Sequence, residues 1–176
     1  MNKKLKLWEL DRVSEEEFKQ QKKFPLIVIL DNIRSLNNIG SFFRTSDAFN
    51  VEKIYLCGIT ATPPHRDIQK TALGATYSMD WEHKNSTLEL IKDLKNQGVK
   101  ICSIEQAEKT TFLQNVPDLP NEKYALVFGN EVDGVDQEVI NTSDYIIEIP
   151  QFGTKHSLNV SVCAGVVLWE FAKRYV

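Results

Sequence analysis

The sequence predicts an α/β domain with a mostly parallel sheet and helices on both faces. Short runs that are apolar at successive positions recur along the chain, as is typical of strands buried on both sides. Segments with helical periodicity lie between these runs, and such alternation predicts parallel strands joined by crossover helices. A length of 176 residues suits one domain with a substantial core.

The elements follow in a regular order. The predicted strands are Leu26 to Leu30, Ile54 to Cys57, Val99 to Ile104, Tyr124 to Phe128 and Ile146 to Ile149. The predicted helices are Ile39 to Phe49, Thr87 to Gln97, Asp136 to Asn141 and Val160 to Tyr175. Ser86 with Glu89 predicts a capping box, and Gly98 predicts a left-handed end to the same helix.

The first residues form a separate feature. Ser14 with Glu17 predicts a second capping box that opens a short helix, and Pro25 then introduces the first strand. We therefore expect residues 1–24 to be a helical appendage and residues 25–176 to be the single domain. No repeat or low-complexity tract indicates a further one.

Composition and charge narrow the functional classes. Apolar residues make up 42% and charged residues 26%, and the net charge of −3 argues against a protein that grips nucleic acid over its whole surface. Cys57, Cys102 and Cys163 lie far apart in apolar runs, which predicts reduced core thiols. With no signal peptide and no apolar stretch of roughly 20 residues, we expect a cytoplasmic protein without a membrane partner.

Any contact with nucleic acid must then be local. Four small clusters of basic residues are candidates, although for any one of them alone a solvated surface is the more common explanation. They are Lys3, Lys4 and Lys6; Lys19, Lys22 and Lys23; His65, Arg66 and Lys70; and Lys155 with His156.

The first polar segment that could carry chemistry runs from Asn37 to Arg44, after the first strand. Asn38 and Gly40 at a strand-to-helix junction would leave N–H groups free at the helix start, and Arg44 would lie one turn further on, beside Gly40. This arrangement suits an anion or a polar substrate. Taken alone, it is as compatible with a capped helix that carries a surface arginine.

The second polar segment is Phe128 to Val135, at the end of a predicted strand. Gly129 and Gly134 flank an Asn-Glu pair where open α/β sheets place ligands, and Glu131 could orient a hydroxyl or pair with Arg44. The third segment, Ile149 to Ser161, is long for a routine connection, and its Ser157, Asn159 and Ser161 exceed what one helix cap requires. A glycine-rich turn and a cap are the alternatives.

Other site patterns are missing from the sequence. It contains no phosphate-binding Gly-x-x-x-x-Gly-Lys-Ser/Thr, no Gly-x-Gly-x-x-Gly and no Gly-x-Ser-x-Gly. His65, His83 and His156 lack metal-ligand spacing, so no metal is expected.

Together, the three segments resemble the motifs of the SpoU or TrmH family of RNA 2'-O-ribose methyltransferases, within the SPOUT class. The resemblance runs from about Leu26 to Val176 and rests on three patterns in the correct order. These are Asn38-x-Gly40-x-x-x-Arg44; Phe128-Gly129-Asn130-Glu131-x-x-Gly134; and Ile149-Pro150 with Ser157-Leu158-Asn159-Val160-Ser161.

The resemblance implies a deep trefoil knot in the C-terminal part. Knots are very rare among protein folds, so composition and periodicity would not predict one. The resemblance also implies a homodimer, with S-adenosylmethionine sites close to the subunit interface. The apolar stripe of the last helix, formed by Val162, Val166 and Trp169 with Phe171 as a further candidate, fits either interface or core. The cofactor-binding residues carried over by resemblance are Ile104, Gly129, Ile149, Ser157 and Leu158.

The resemblance further implies that Arg44 is the main catalytic residue, supported by Asn38, Glu131, Ser157 and Asn159. Because a guanidinium stays protonated, Arg44 suits a bidentate contact with a phosphate better than the role of base. The proton of the ribose hydroxyl would then pass to that phosphate, to Glu131 or to water.

We expect tRNA as the first choice of substrate and an rRNA loop as the next. The chain lacks the long basic extension that helps better-known members of the family to hold RNA, so the choice between the two stays open. The alternatives are a catalytically silent knotted module that binds RNA or S-adenosylmethionine, a base methyltransferase and a small-molecule methyltransferase. A small-molecule methyltransferase is disfavoured, because the basic loop residues would then have no binding partner.

Overall fold

The computed structural model describes residues 1–117 and 122–176. Its centre is a seven-stranded sheet in the order β3-β2-β1-β6-β4-β7-β5, and neighbouring strands pair in parallel. The strands are β1 (Phe24–Asp31), β2 (Val51–Cys57), β3 (Trp81–Lys84), β4 (Lys100–Ile104), β5 (Thr111–Phe112), β6 (Tyr124–Phe128) and β7 (Tyr145–Glu148).

Strand β1 shows why the sheet is covered on both sides. Leu26, Val28 and Leu30 belong to one hydrophobic cluster, whereas Ile27 and Ile29 belong to another. Successive side chains of a strand point to opposite faces, so a continuous apolar run supplies both cores. The parallel sheet with helices on both faces is thus as predicted.

Helices divide between these two faces. The larger cluster receives side chains from α1 (Glu15–Gln20), α2 (Leu36–Ala48), α3 (Arg66–Ala72), α4 (Ala75–Ser78) and α7 (Val160–Ala172). The smaller cluster receives side chains from α5 (Thr87–Asn96) and α6 (Gln137–Thr142). In α5, Leu90, Ile91 and Leu94 are buried at helical spacing, so one face of the helix packs on the sheet.

The structure adds elements that the sequence did not predict. Strands β3 and β5 and helices α3 and α4 were missed: β5 has two residues, α4 has four, and β3 is an edge strand with no fully buried side chain. The last helix ends at Ala172 and continues as a 3-10 turn, Lys173–Tyr175, rather than as an α-helix to Tyr175.

Helix α2 begins earlier than predicted, and this changes the role of two residues. Ser35 caps the helix by accepting a hydrogen bond from the N–H of Asn38. Asn38 and Gly40 therefore lie within the helix, not at a strand-to-helix junction. The prediction that Asn38 and Gly40 lie at the junction itself is wrong.

Gly40 instead permits close packing of α2 on α3. A Cβ at this position would lie 2.0 Å from Thr71 Oγ1 and 2.2 Å from the carbonyl oxygen of Ile68. A side chain on Gly40 would push the two helices apart. We expect Gly40→Ala to lower the free energy of unfolding by about 2 kcal/mol, as in other overpacked cores, when measured by urea denaturation.

Ser41→Ala is the matched control for this change. Ser41 is only part-buried, and its hydroxyl bonds back to the carbonyl of Asn37 in its own helix. The exchange should alter the free energy of unfolding by less than about 0.5 kcal/mol. Equal stability of Gly40→Ala and Ser41→Ala would contradict the packing role of Gly40.

Two predicted capping boxes differ in outcome. At α1, Ser14 and Glu17 form the full reciprocal box. At α5, Ser86 accepts a hydrogen bond from the N–H of Glu89, but the return bond is not among those of the described residues, so only half of the box is formed. Gly98 has a φ of +83°, the left-handed geometry predicted for it.

The N-terminal helix α1 contacts the rest of the chain through Phe18, whose side chain is buried in the larger cluster. Within the described ranges, no helix is both long and apolar enough to cross a bilayer.

Candidate functional site

A cleft of about 660 Å³ opens at the carboxyl ends of β4, β6 and β7. Ligand sites of open α/β sheets commonly lie at this edge. Seven of the nine predicted site residues line it: Ile104, Gly129, Glu131, Ile149, Ser157, Leu158 and Asn159. The second and third polar segments therefore meet at one cleft.

Gly129 and Gly134 allow the backbone to fold tightly at the cleft wall. A Cβ on Gly129 would lie 2.1 Å from the N atom of Val135. Gly134 has a φ of +72°, and a Cβ there would lie 2.2 Å from Glu105 Oε2. Because the obstacle at Gly129 is backbone, a side chain could be accepted only by moving the wall.

Glu131 binds the loop that joins β1 to α2. Its Oε2 accepts a hydrogen bond from the N–H of Arg34 (2.9 Å), and its Oε1 accepts from the N–H of Ser35 (3.0 Å) and from Asn38 Nδ2 (3.0 Å). Within one chain, no ion pair joins this carboxylate to Arg44 among the described residues. A carboxylate that accepts three N–H donors is held in a fixed orientation.

Asn38 extends this network to the third segment. Its Oδ1 accepts a hydrogen bond from Asn159 Nδ2 at 3.3 Å. Asn159 also caps α7, because its Oδ1 accepts from the N–H groups of Ser161 (2.9 Å) and Val162 (3.3 Å). Side chains from all three polar segments are thus joined through Glu131, Asn38 and Asn159.

The same hydrogen bonds set the ionisation of Glu131. Partial burial acts to raise its pKa, but the N–H donors of Arg34 and Ser35 and the amide of Asn38 outweigh this and hold the pKa below its usual value. A carboxylate with a lowered pKa is a weak base. Glu131 therefore suits a positioning role better than that of proton acceptor.

A lowered pKa in the folded protein makes stability depend on pH. The stabilisation from the Glu131 carboxylate is fully present above its unfolded pKa of about 4.3 and is lost as the pH falls through the lower folded value. We expect Glu131→Gln to lower the urea midpoint at pH 7, and the difference from the parent to shrink below about pH 4.3. Asp133→Asn is the control, since Asp133 is exposed and accepts no hydrogen bond from the described residues. A difference that does not change with pH would contradict this assignment.

Arg44 lies away from the cleft. It is exposed on α2, it does not line the cleft, and no described residue forms an ion pair or hydrogen bond with it. Asn38 does not line the cleft either, although it is bonded to Glu131 and Asn159, which do. Within one chain, the first segment is therefore linked to the cleft only by the hydrogen bonds of Asn38 with two residues that line it.

Only one of the three polar residues singled out in the third segment is the N-cap of α7. Asn159 is the cap, and the hydroxyl of Ser161 donates to Asn159 Oδ1 at 2.7 Å. Ser157 and Leu158 are exposed at the cleft mouth. Gln106, which follows β4, donates through Nε2 to the carbonyl of His156 at 2.9 Å and so ties this segment to the neighbouring strand end.

Sequence reasoning missed Glu105 at the cleft. Its carboxylate accepts hydrogen bonds from the N–H groups of Val135 (3.0 Å) and Gln106 (2.8 Å). The signal was present, since Glu105 directly follows the predicted strand that ends at Ile104. Cys163, predicted to be a core residue, packs partly buried against the larger cluster and also lines the cleft. Burial together with the charge of Glu105 raises its pKa to about 12.

The described residues contain no group of three or more His, Cys, Asp or Glu side chains that could hold a metal ion.

Comparison with protein families gives a clear result for most of the chain. Residues 25–169 match the family model described as the SpoU rRNA Methylase family. The chain belongs to this family. The family resemblance inferred from the three polar segments is thereby confirmed.

Two relatives of this SpoU family member are named RNA 2'-O-methyltransferases. One is the 23S rRNA (guanosine-2'-O-)-methyltransferase RlmB of Neisseria meningitidis, 32% identical over 153 residues, which span 86% of this chain and 60% of the relative. The other is the tRNA (guanosine(18)-2'-O)-methyltransferase of Aquifex aeolicus, 31% identical over 167 residues, which span 92% of this chain and 74% of the relative. The chain thus spans about three fifths of the length of the first of these two.

The SpoU fold also matches solved structures. The A. aeolicus TrmH/SpoU tRNA modifying enzyme superposes with a TM-score of 0.81 at 26% identity, over 91% of this chain and 80% of that one. An AdoMet-bound rRNA methyltransferase of Sinorhizobium meliloti superposes with a TM-score of 0.80 at 25% identity, over 90% of this chain and 60% of that one.

Proposed function

We propose that the protein is an S-adenosylmethionine-dependent methyltransferase that acts on a ribose 2'-hydroxyl of RNA. The observation that carries the proposal is the hydrogen-bonded chain Glu131–Asn38–Asn159, which joins the three SpoU motifs beside one cleft. The names of the two curated relatives supply the reaction class.

The cleft fits the cofactor in size and character. Its volume of about 660 Å³ lies within the range of small-molecule pockets, and its walls combine apolar side chains with exposed backbone. The absence of a side chain on Gly129 lets the wall fold back on Val135. We assign Ile104, Gly129, Ile149, Ser157 and Leu158 to cofactor binding, and the bound cofactor would supply an electrophilic methyl group.

The hydroxyl that receives the methyl group must be oriented and must lose its proton. We assign Glu131 to fixing the 31–38 loop and Asn38, and Asn159 to holding the start of α7, because each makes the bonds such a role requires. Ser157 is free to contact the substrate at the cleft mouth. With Glu131 fully engaged by N–H donors, we assign the proton to the RNA phosphate or to water.

We assign Arg44 to RNA binding, because its guanidinium is exposed and has no partner among the described residues. A guanidinium binds phosphate through two parallel hydrogen bonds. Because Arg44 lies outside the cleft of its own chain, we propose that it serves the cleft of a second copy.

A homodimer would also cover the exposed apolar side chains of α7. Val162 is 55% exposed, Val166 42% and Trp169 53%, on one side of a helix whose other side is buried. Such a stripe is typical of a subunit interface.

We expect Trp169→Glu to shift the protein from dimer to monomer in sedimentation equilibrium. The matched control is Tyr77→Glu, on α4, another exposed aromatic side chain (61%) outside the stripe. A monomeric parent would contradict the proposal.

Further parts of the proposal rest on topology. The sheet order places β6 between β1 and β4, and β7 between β4 and β5. This order supports the trefoil knot that family membership implies.

We also propose residues 1–24 as an appendage to one methyltransferase domain of residues 25–176, because Phe18 packs on that domain's core. A cytoplasmic location remains a prediction.

The substrate is tested by transfer of labelled methyl groups to unmodified bulk tRNA and, separately, to rRNA. We expect transfer to tRNA; the rRNA relative makes rRNA the second candidate. Cofactor binding without transfer to either RNA would favour a silent binding module.

A further inference from the structure

The cleft is acidic and lacks a cationic counterpart. Among the described residues that line it there is no Lys, Arg or His. None of its carboxylates is in an ion pair with a described residue. These carboxylates are Glu105, Glu131, Asp133 and Glu148. Within one chain, such a cleft favours a ligand with positive charge, and an RNA phosphate would depend on the Arg44 that we propose from the second copy.

Glu105 is the carboxylate best placed to act on a ligand within the cleft. It is half-buried between the end of β4 and the turn at Gly134 and Val135, with each oxygen held by one backbone N–H. Its charge also acts on Cys163, which lies on α7 at the cleft wall. Glu105 therefore faces the interior of the cleft from a fixed position.

The other acidic side chains are less suited to this role. Glu131 is engaged by Arg34, Ser35 and Asn38, and Asp133 is exposed at the rim, where solvent and salt screen its charge. Glu148 accepts a hydrogen bond from Thr110 Oγ1 at 2.8 Å, on the side of β5.

We propose that Glu105 makes the cleft distinguish positively charged S-adenosylmethionine from uncharged-sulfur S-adenosylhomocysteine. This inference rests on the proposed function. In the transfer, the bond between sulfur and methyl carbon breaks and both of its electrons stay on sulfur, while the methyl carbon bonds to the ribose oxygen, whose proton leaves to the RNA phosphate or to water. The sulfur thereby loses its positive charge. A carboxylate held in a part-buried position therefore favours the substrate form of the cofactor and helps to release the product form.

The test compares the affinities of three ligands by titration calorimetry. These are S-adenosylmethionine, S-adenosylhomocysteine and sinefungin, in which a carbon atom that carries a protonated amine takes the place of the methylated sulfur. We expect the parent to prefer the two cationic ligands, and Glu105→Gln to reduce that preference by about tenfold. If Glu105 had a purely structural role, Glu105→Gln would bind all three ligands more weakly by the same factor, and the ratio of their affinities would not change. That result would overturn the proposal.

Two further variants separate charge from shape. Glu105→Asp retains the charge, so the preference should persist even where every affinity falls. Asp133→Asn removes an exposed charge at the rim, and the ratio should stay within about twofold of the parent. Loss of the preference in Glu105→Asp would also overturn the proposal. If the parent bound none of the three ligands, the proposed function itself would fail instead.

Discussion

Replacing Arg44 with alanine should lower the rate of methyl transfer by about 10²- to 10³-fold, the size expected for loss of one charged group that binds the reacting centre. The affinity for S-adenosylmethionine should not change, because Arg44 does not line the cleft. Single-turnover transfer to RNA measures the first quantity and titration calorimetry the second.

Arg44→Lys separates charge from geometry. An ammonium keeps the charge but cannot make two parallel hydrogen bonds to a phosphate, so we expect its rate to fall as far as that of Arg44→Ala. Full activity of Arg44→Lys would contradict bidentate binding. Weaker cofactor binding by either variant would contradict the placement of Arg44 outside the cofactor site.

Gly129→Ala should weaken S-adenosylmethionine binding at least tenfold. The added Cβ would lie 2.1 Å from the backbone N of Val135, so the strand end and the turn at Gly134 must separate. The walls of the cleft move with them, and a misplaced wall loses several contacts with the ligand at once. Calorimetric titration of the purified variant gives the affinity, and thermal unfolding shows whether the fold persists.

Gly153→Ala is the control for this glycine. It lies in the third segment with no heavy atom within 4 Å of an added Cβ, and its φ is not in the left-handed region. Its cofactor affinity should match that of the parent. Normal binding by Gly129→Ala would contradict the assignment of Gly129 to the cleft wall.

The two variants also test whether one site uses two subunits. Alone, Arg44→Ala should be slow at any cofactor concentration, and Gly129→Ala should be slow at a cofactor concentration that only half-saturates the parent. A mixed dimer of the two contains one subunit with an intact cleft and one with an intact Arg44. Recovery of activity on mixing, after dissociation and reassociation, would support supply of Arg44 by the second copy. An inactive mixture of confirmed heterodimers would contradict it.

The sheet and the convergence of two motifs were predictable because they depend on local pattern. The buried strands contain continuous apolar runs, and Gly129 and Ile149 directly follow strands whose carboxyl ends share one edge. The boundaries of α2 were harder to predict, because Ser35 caps the helix before the first residue of apolar periodicity, Ile39. Strand β5 was missed because two residues, Thr111 and Phe112, carry no periodic signal.

The connections between side chains could not be predicted from sequence. Glu131 meets Arg34, Ser35 and Asn38 across more than ninety positions of chain, a contact fixed by the fold. Arg44 and Asn38 lie in one motif, yet their spacing of six residues places them on different sides of a helix with 3.6 residues per turn. The role of Glu105 depends on which charges surround it in the cleft, and spacing does not reveal that.

The central claim is tested most directly by the position of the methyl group on the RNA. RNA labelled with methyl groups by the parent protein is hydrolysed in alkali, and the products are identified by mass spectrometry. A 2'-O-methyl group blocks alkaline cleavage at its own nucleotide, so the label should appear in alkali-resistant dinucleotides that yield a 2'-O-methylated nucleoside. Label in a mononucleotide methylated on its base would contradict ribose methylation.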